Sequence, residues 1–140
     1  METAVASRYH LEAAIAARHC AARSFSETDW ASICSLYDRL LELGPSPLAE
    51  LNRAVALSYR DGPAAAIPLV EDIRRTRRLE GSHAVAAVLA NLYARVGNDE
   101  ASRSCLKEAL AAARTRHERQ LIALQVERAR ASYAGGSKTG

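Results

Sequence analysis

The stretch Ser46-Pro47-Leu48-Ala49-Glu50-Leu51-Asn52-Arg53-Ala54-Val55-Ala56-Leu57-Ser58-Tyr59-Arg60-Asp61-Gly62-Pro63 reads as one helix with its start and stop signals attached. Ser46 suits the N-cap, where a hydroxyl accepts from an otherwise unbonded backbone N–H. Pro47 suits the first helical position, where its missing N–H has no intrahelical partner. Gly62 tolerates a positive φ and Pro63 cannot extend the same hydrogen-bond ladder, so the element ends there.

Working outward, every neighbouring segment has helical period. Toward the N-terminus, a helix over residues 7 to 23 carries Leu11, Ile15, Arg18 and Ala22 on one face. A second, with Thr28 as N-cap, carries Trp30, Ile33, Cys34, Tyr37, Leu40 and Leu41 at three-and-four spacing and stops at Gly44-Pro45. Toward the C-terminus, a fourth helix runs from Pro63 to about Arg77 and turns Ile67, Val70 and Ile73 inward, with Pro68 tolerated near its first turn. Gly81-Ser82 opens a fifth, with Val85, Val88, Leu89, Leu92, Tyr93 and Val96 inward. Asn98 caps a sixth, with Asp99 and Glu100 in its first turn and Ala101, Cys105, Leu106, Ala109 and Leu110 inward. A seventh, from about Thr115, sets Ile122, Val126, Ala129 and Tyr133 against a strongly charged opposite side. No alternating strand pattern occurs. The expected fold is all-α, with about seven helices in antiparallel pairs. One helical-repeat domain is expected over 1–133, with a disordered tail over 134–140.

Composition agrees. A chain of 140 residues buries roughly two thirds of its unfolded surface in one core. Its 49% apolar share holds only 5% aromatics and is dominated by alanine, the strongest helix former, which favours closely packed helices. The formal charge is +3, but acids nearly match bases along the chain, so a general polyanion-binding surface is not implied. Cys20, Cys34 and Cys105 are odd in number and widely spaced, which fits neither a disulfide framework nor a zinc site and suggests a reducing, cytoplasmic compartment. No signal-type or membrane-spanning run is present, so a soluble protein is expected.

Gly62 and Gly97 each separate two helices and lie about 35 residues apart, near the roughly 34-residue tetratricopeptide period. Leu89, Ala90, Tyr93, Gly97, Ser102, Leu106 and Ala109 fall where that repeat places its large, small, aromatic and turn residues; only Ser102 replaces the usual alanine. An earlier unit fits with a one-residue shift through Ala54, Leu57, Ala66, Val70 and Ile73. The alternative is an ordinary helical bundle with accidental spacing.

Chemistry-bearing motifs are few. His10, His19, His83 and His117 form no metal-ligand spacing, and no phosphate-cradling or nucleophile-elbow motif occurs. His19 and Cys20 are adjacent, which on a helix aims them about 100° apart, so they make no dyad by themselves. No catalytic residue, metal or cofactor is expected, and an enzyme with an unrecognised site is the weakest reading. Arg74, Arg75, Arg77 and Arg78 make the densest basic patch, suited to an acidic partner or simply to the exposed carbonyls at a helix end. Asn52 and Asn91 are mildly unfavourable inside helices and need a reason to be there. In tetratricopeptide arrays the first helix of each pair lines a groove, which makes Asn52, Tyr59, Asn91 and Arg95 candidate peptide contacts; structural hydrogen bonds explain them equally well.

Several blocks, in order, resemble one family. They are Tyr9-His10-Leu11-Glu12-Ala13-Ala14-Ile15-Ala16-Ala17, Thr28-Asp29-Trp30 with Leu36-Tyr37-Asp38, Pro45-Ser46-Pro47 with Leu51-Asn52-Arg53-Ala54-Val55-Ala56, and Asp61-Gly62-Pro63-Ala64-Ala65. The chain resembles the C-terminal tetratricopeptide-type extension of a subgroup of bacterial extracytoplasmic-function (ECF) sigma factors. Leu79-Glu80-Gly81-Ser82-His83 departs from that family's pattern, which has an aromatic at the Ser82 position. The resemblance implies a regulatory role in transcription initiation through protein partners: the sigma regions, RNA polymerase or a regulator. It implies no catalytic residues. The motifs begin almost directly after Met1, so direct DNA reading by this segment is not expected, nor is membrane association. The segment is expected to be an excised piece or a free-standing relative. A free-standing tetratricopeptide adaptor that binds a peptide is the main alternative, and the alanine-rich faces suit a homodimer as well as packing within the chain.

Overall fold

The computed structural model of the chain describes residues 8, 10–17 and 28–139, with side chains through residue 131. Among these the fold is all-α, with no strand. The helices are α1 (10–17), α2 (Trp30–Glu42), α3 (Pro47–Asp61), α4 (Pro63–Arg75), α5 (Ala84–Arg95), α6 (Asp99–Ala112) and α7 (Arg116–Thr139). They gather into two compact units, one ending at Asp61 and the other beginning at Gly62. The rest of the expected first helix, including Arg18, His19, Cys20 and Ala22, lies outside the described residues.

In the first unit the sequence signals act locally. The Ser46 hydroxyl accepts from the Ala49 N–H at 3.2 Å, and Pro47 opens α3. The cap of α2 is Asp29 rather than Thr28: its carboxylate accepts from the Ser32 N–H at 3.0 Å, and its charge also suits the positive end of the helix dipole. Ile33 and Cys34 of α2 pack with Ile15 of α1 and with Ala56 and Leu57 of α3, flanked by Trp30, Leu36 and Tyr37. A second cluster joins Leu11, Leu40 and Ala49. Arg8 donates to the carbonyls of Leu40 and Gly44 at 3.5 and 3.4 Å, so a cation meets the electronegative end of α2.

In the second unit α5 is central and packs on α4, α6 and α7. Its alanines decide how closely. Ala86, Ala90 and Ala94 are buried, whereas Val88, Tyr93 and Val96, expected inward, are only half-buried. On α4 Ala66 is likewise fully covered and Ile67 half-covered; on α6 Cys105 and Ala109 are buried as expected, whereas Leu106 and Leu110 are only half-buried. Small side chains let the backbones approach, and larger ones close the edges of the contact. Asn98 caps α6 by accepting from the Ala101 N–H at 3.2 Å.

α7 starts with a reciprocal cap. The Thr115 hydroxyl accepts from the Glu118 N–H at 3.1 Å, and the Glu118 carboxylate accepts from the N–H of Arg114 at 2.7 Å and of Thr115 at 3.3 Å. Ile122, Val126 and Ala129 face inward as expected. α7 runs to Thr139. No helix among the described residues is long and apolar enough to cross a membrane.

A candidate ligand cleft at the end of the fourth helix

The C-terminal end of α4, the connection to α5, the start of α5 and one side of α6 enclose a cleft of about 550 Å³, within the usual range for small-ligand sites. Ile73, Leu79, Val85, Ala86 and Ala112 supply its apolar lining. Arg74, Arg75 and Arg77 face Glu71, Glu80 and Glu108 around it, so the charged lining sums to zero.

The connection is a tight, hydrogen-bonded turn. Arg77 N–H donates to Arg74 O at 3.1 Å, Glu80 N–H to Arg77 O at 3.3 Å, and Ser82 N–H to Leu79 O at 3.1 Å. Arg77 stands at φ 53°, the one non-glycine residue with positive φ among those described. This is the position just past the helix where glycine or asparagine usually relieves the strain.

Arg74 is the hub of the charged wall. Its guanidinium donates to Glu108 of α6 at 2.6 Å, stands 3.8 Å from Glu71 and contacts the Cys105 sulfur at 3.6 Å. Burial works against the Arg74 charge, but Glu108 and the other neighbours outweigh it and hold its pKa above the ordinary arginine value. Tyr93 donates its hydroxyl to Glu71 at 2.9 Å, and its pKa is raised by burial and by that bond. Burial likewise pushes the Cys105 thiol up against the opposing pull of Arg74, so the group behaves as a small core side chain.

The basic run singled out in the sequence is therefore interleaved with acids. Arg75 pairs with Asp72, Arg77 stands 3.8 Å from Glu80, and Arg78 stands 3.9 Å from Asp72 while donating to the Thr76 hydroxyl at 3.0 Å. Only Arg74, Arg75 and Arg77 line the cleft; Arg78 does not. Glu71 stands one turn before Arg74 on the same helix, at a spacing the sequence shows, whereas Glu108 had no local signal, because it meets Arg74 only through side chains that reach between α4 and α6.

The four candidate groove residues divide between the units. Asn52 is exposed on α3 and lines a smaller cleft of about 280 Å³ with Arg8, Glu12, Tyr37 and Leu48. Tyr59 is half-buried and meets Trp30 in a tilted ring contact, centroids 4.6 Å apart. Asn91 and Arg95 are half-buried on α5. Trp30, which shares the apolar three-and-four pattern of α2, is half-buried against its cluster. Among the described residues no group of three or more His, Cys, Asp or Glu is placed to hold a metal ion.

An uncharacterized protein of Rhizobium meliloti (strain 1021) is 38% identical to this chain over 119 residues. The match covers 85% of the chain and 28% of the relative, so the chain spans little more than a quarter of that protein's length. No protein-family model matches the chain, and no solved structure matches it.

Proposed function

We propose that this chain is a non-enzymatic protein-interaction module, built as a tetratricopeptide-like array of antiparallel helix pairs and related to the C-terminal extension of ECF sigma factors. Its role is in bacterial transcription initiation, through contact with sigma regions, RNA polymerase or a regulator in the cytoplasm. The observation that carries the reading is the seam between α5 and α6. The Ser102 hydroxyl, at a small-residue position of the repeat pattern, donates to the Ala90 carbonyl at 2.8 Å, and both residues are fully buried. Such close contact next to the turn at Gly97 is what a repeat of this class requires of its small residues. The ordered motif matches over the first 65 residues add the link to sigma factors.

The test is affinity capture from the source bacterium, using this chain alone and joined to sigma promoter-reading regions. Enrichment of polymerase subunits or a sigma factor supports the reading; absence of both with either bait counts against it.

The exposure of Asn52 beside a cleft favours a second reading, a free-standing adaptor for an extended peptide. In that case Asn52→Ala weakens peptide binding and leaves the melting temperature unchanged. Loss of stability instead assigns Asn52 a structural role.

A further inference from the structure

The α4–α5 cleft has features that packing alone does not require. A tight turn holds an arginine, Arg77, in a left-handed conformation that glycine adopts freely. The side chain gained in return stands at the cleft, 76% exposed, with its nearest ion-pair acid, Glu80, 3.8 Å away, beyond good hydrogen-bond distance. Strain kept at a cleft is a pointer to use. Arg75, 75% exposed, also lines the cleft, and a guanidinium holding one carboxylate still has N–H donors to offer. Arg74 differs: Glu108, Glu71 and Cys105 already surround it, which makes it part of the wall.

Half-buried Leu79 of the connection and, beneath it, the largely buried Val85 and Ala86 of α5 supply the apolar part of the lining. Three arginines and three glutamates line the cleft, so there is no net positive field to gather a polyanion. What remains is a local pair of carboxylate-type donors next to an apolar surface. We propose that this cleft binds an organic carboxylate with a short apolar chain, the carboxylate held by Arg77 and Arg75 and the chain lying on Leu79, Val85 and Ala86. Guanidinium groups match the planar carboxylate fork, and the loose Glu80 contact is easily exchanged for the ligand.

This chemistry has two sources, a free aliphatic acid or the C-terminal end of an apolar peptide. The intact chain is titrated by calorimetry and by amide chemical shifts with octanoate, with octanol, with inorganic phosphate, and with a tetrapeptide ending in leucine whose C-terminus is either free or amidated. Saturable binding of octanoate or of the free-ended peptide is expected, with shifts at 77–86 and affinity at least about tenfold above octanol, the amidated peptide and phosphate. Octanoate alone identifies a free acid, and the peptide alone a chain end. Arg77→Gly keeps a residue suited to the turn and removes the guanidinium; it should weaken the carboxylate about tenfold or more with the fold intact. Arg39→Ala, in the other unit, should change nothing. The proposal is overturned if neither carboxylate binds, if octanol or phosphate binds equally well, or if Arg77→Gly leaves the affinity unchanged. None of these results depends on whether the chain partners a sigma factor.

Discussion

The Ser102 hydroxyl reaches from α6 to the Ala90 carbonyl on α5 at 2.8 Å, inside a seam from which solvent is excluded at both residues. The bond is made because both residues are small, and it fixes how the two helices meet. Ser102→Ala removes one neutral buried hydrogen bond while keeping the space, so a loss of about 1 kcal/mol is expected. Ser102→Leu forces the helices apart and should lose about 1–3 kcal/mol or more. Urea unfolding of the two variants checks the order; equal losses would show that the spacing is not set here.

Leu89 is fully buried on α5, whereas Leu48 on α3 is 55% exposed. Leu89→Ala should therefore destabilise by about 2–5 kcal/mol through lost burial and a residual cavity. Leu48→Ala should stay within about 0.5 kcal/mol of the parent. Thermal or denaturant unfolding distinguishes them.

Arg77 stands at φ 53°, and its N–H is held by the Arg74 carbonyl. Arg77→Gly removes the side-chain penalty of the left-handed region and should raise stability by up to about 1 kcal/mol. Arg77→Val, β-branched, should lower it. A fall in melting temperature for the glycine variant would mean that the Arg77 contacts outweigh the backbone strain.

Glu118 accepts backbone hydrogen bonds from Arg114 and Thr115, and the Arg114 bond is the main cause of its lowered pKa. A carboxylate whose folded pKa is depressed adds stability above its unfolded pKa and loses it as pH falls through the folded value. The start of α7 should therefore weaken as pH drops below about 4.3, the ordinary glutamate value. Glu118→Gln should flatten that part of a melting-temperature profile against pH. A profile parallel to the parent's would remove the assigned role of the cap.

Much of the fold was legible because its signals are local. Ser46-Pro47, Gly62-Pro63 and Asn98 each act on the backbone within a turn of their own position, and the structure uses them as the sequence reads. Which apolar residues are fully covered was less legible. Val88 matches the helical period but is only half-buried, while Ala86, which carried no such signal, is covered; Ala66 and Ala109, small positions of the repeat pattern, are buried beside the half-buried Ile67 and Leu106. Periodicity gives a direction around a helix but not how near the next helix comes, and that distance decides whether alanine or valine is the one buried.

By itself the sequence determined that the chain is helical, where most helices begin and end, and which run is most basic. Only the tertiary structure decided what that run meets. It brought Glu108 of α6 against Arg74 of α4, turned Arg77 at a cleft of mixed charged and apolar lining, and set Tyr59 against Trp30. Helix formation depends on bonds between residues four apart, whereas a cleft depends on side chains that share only a place in the packed fold.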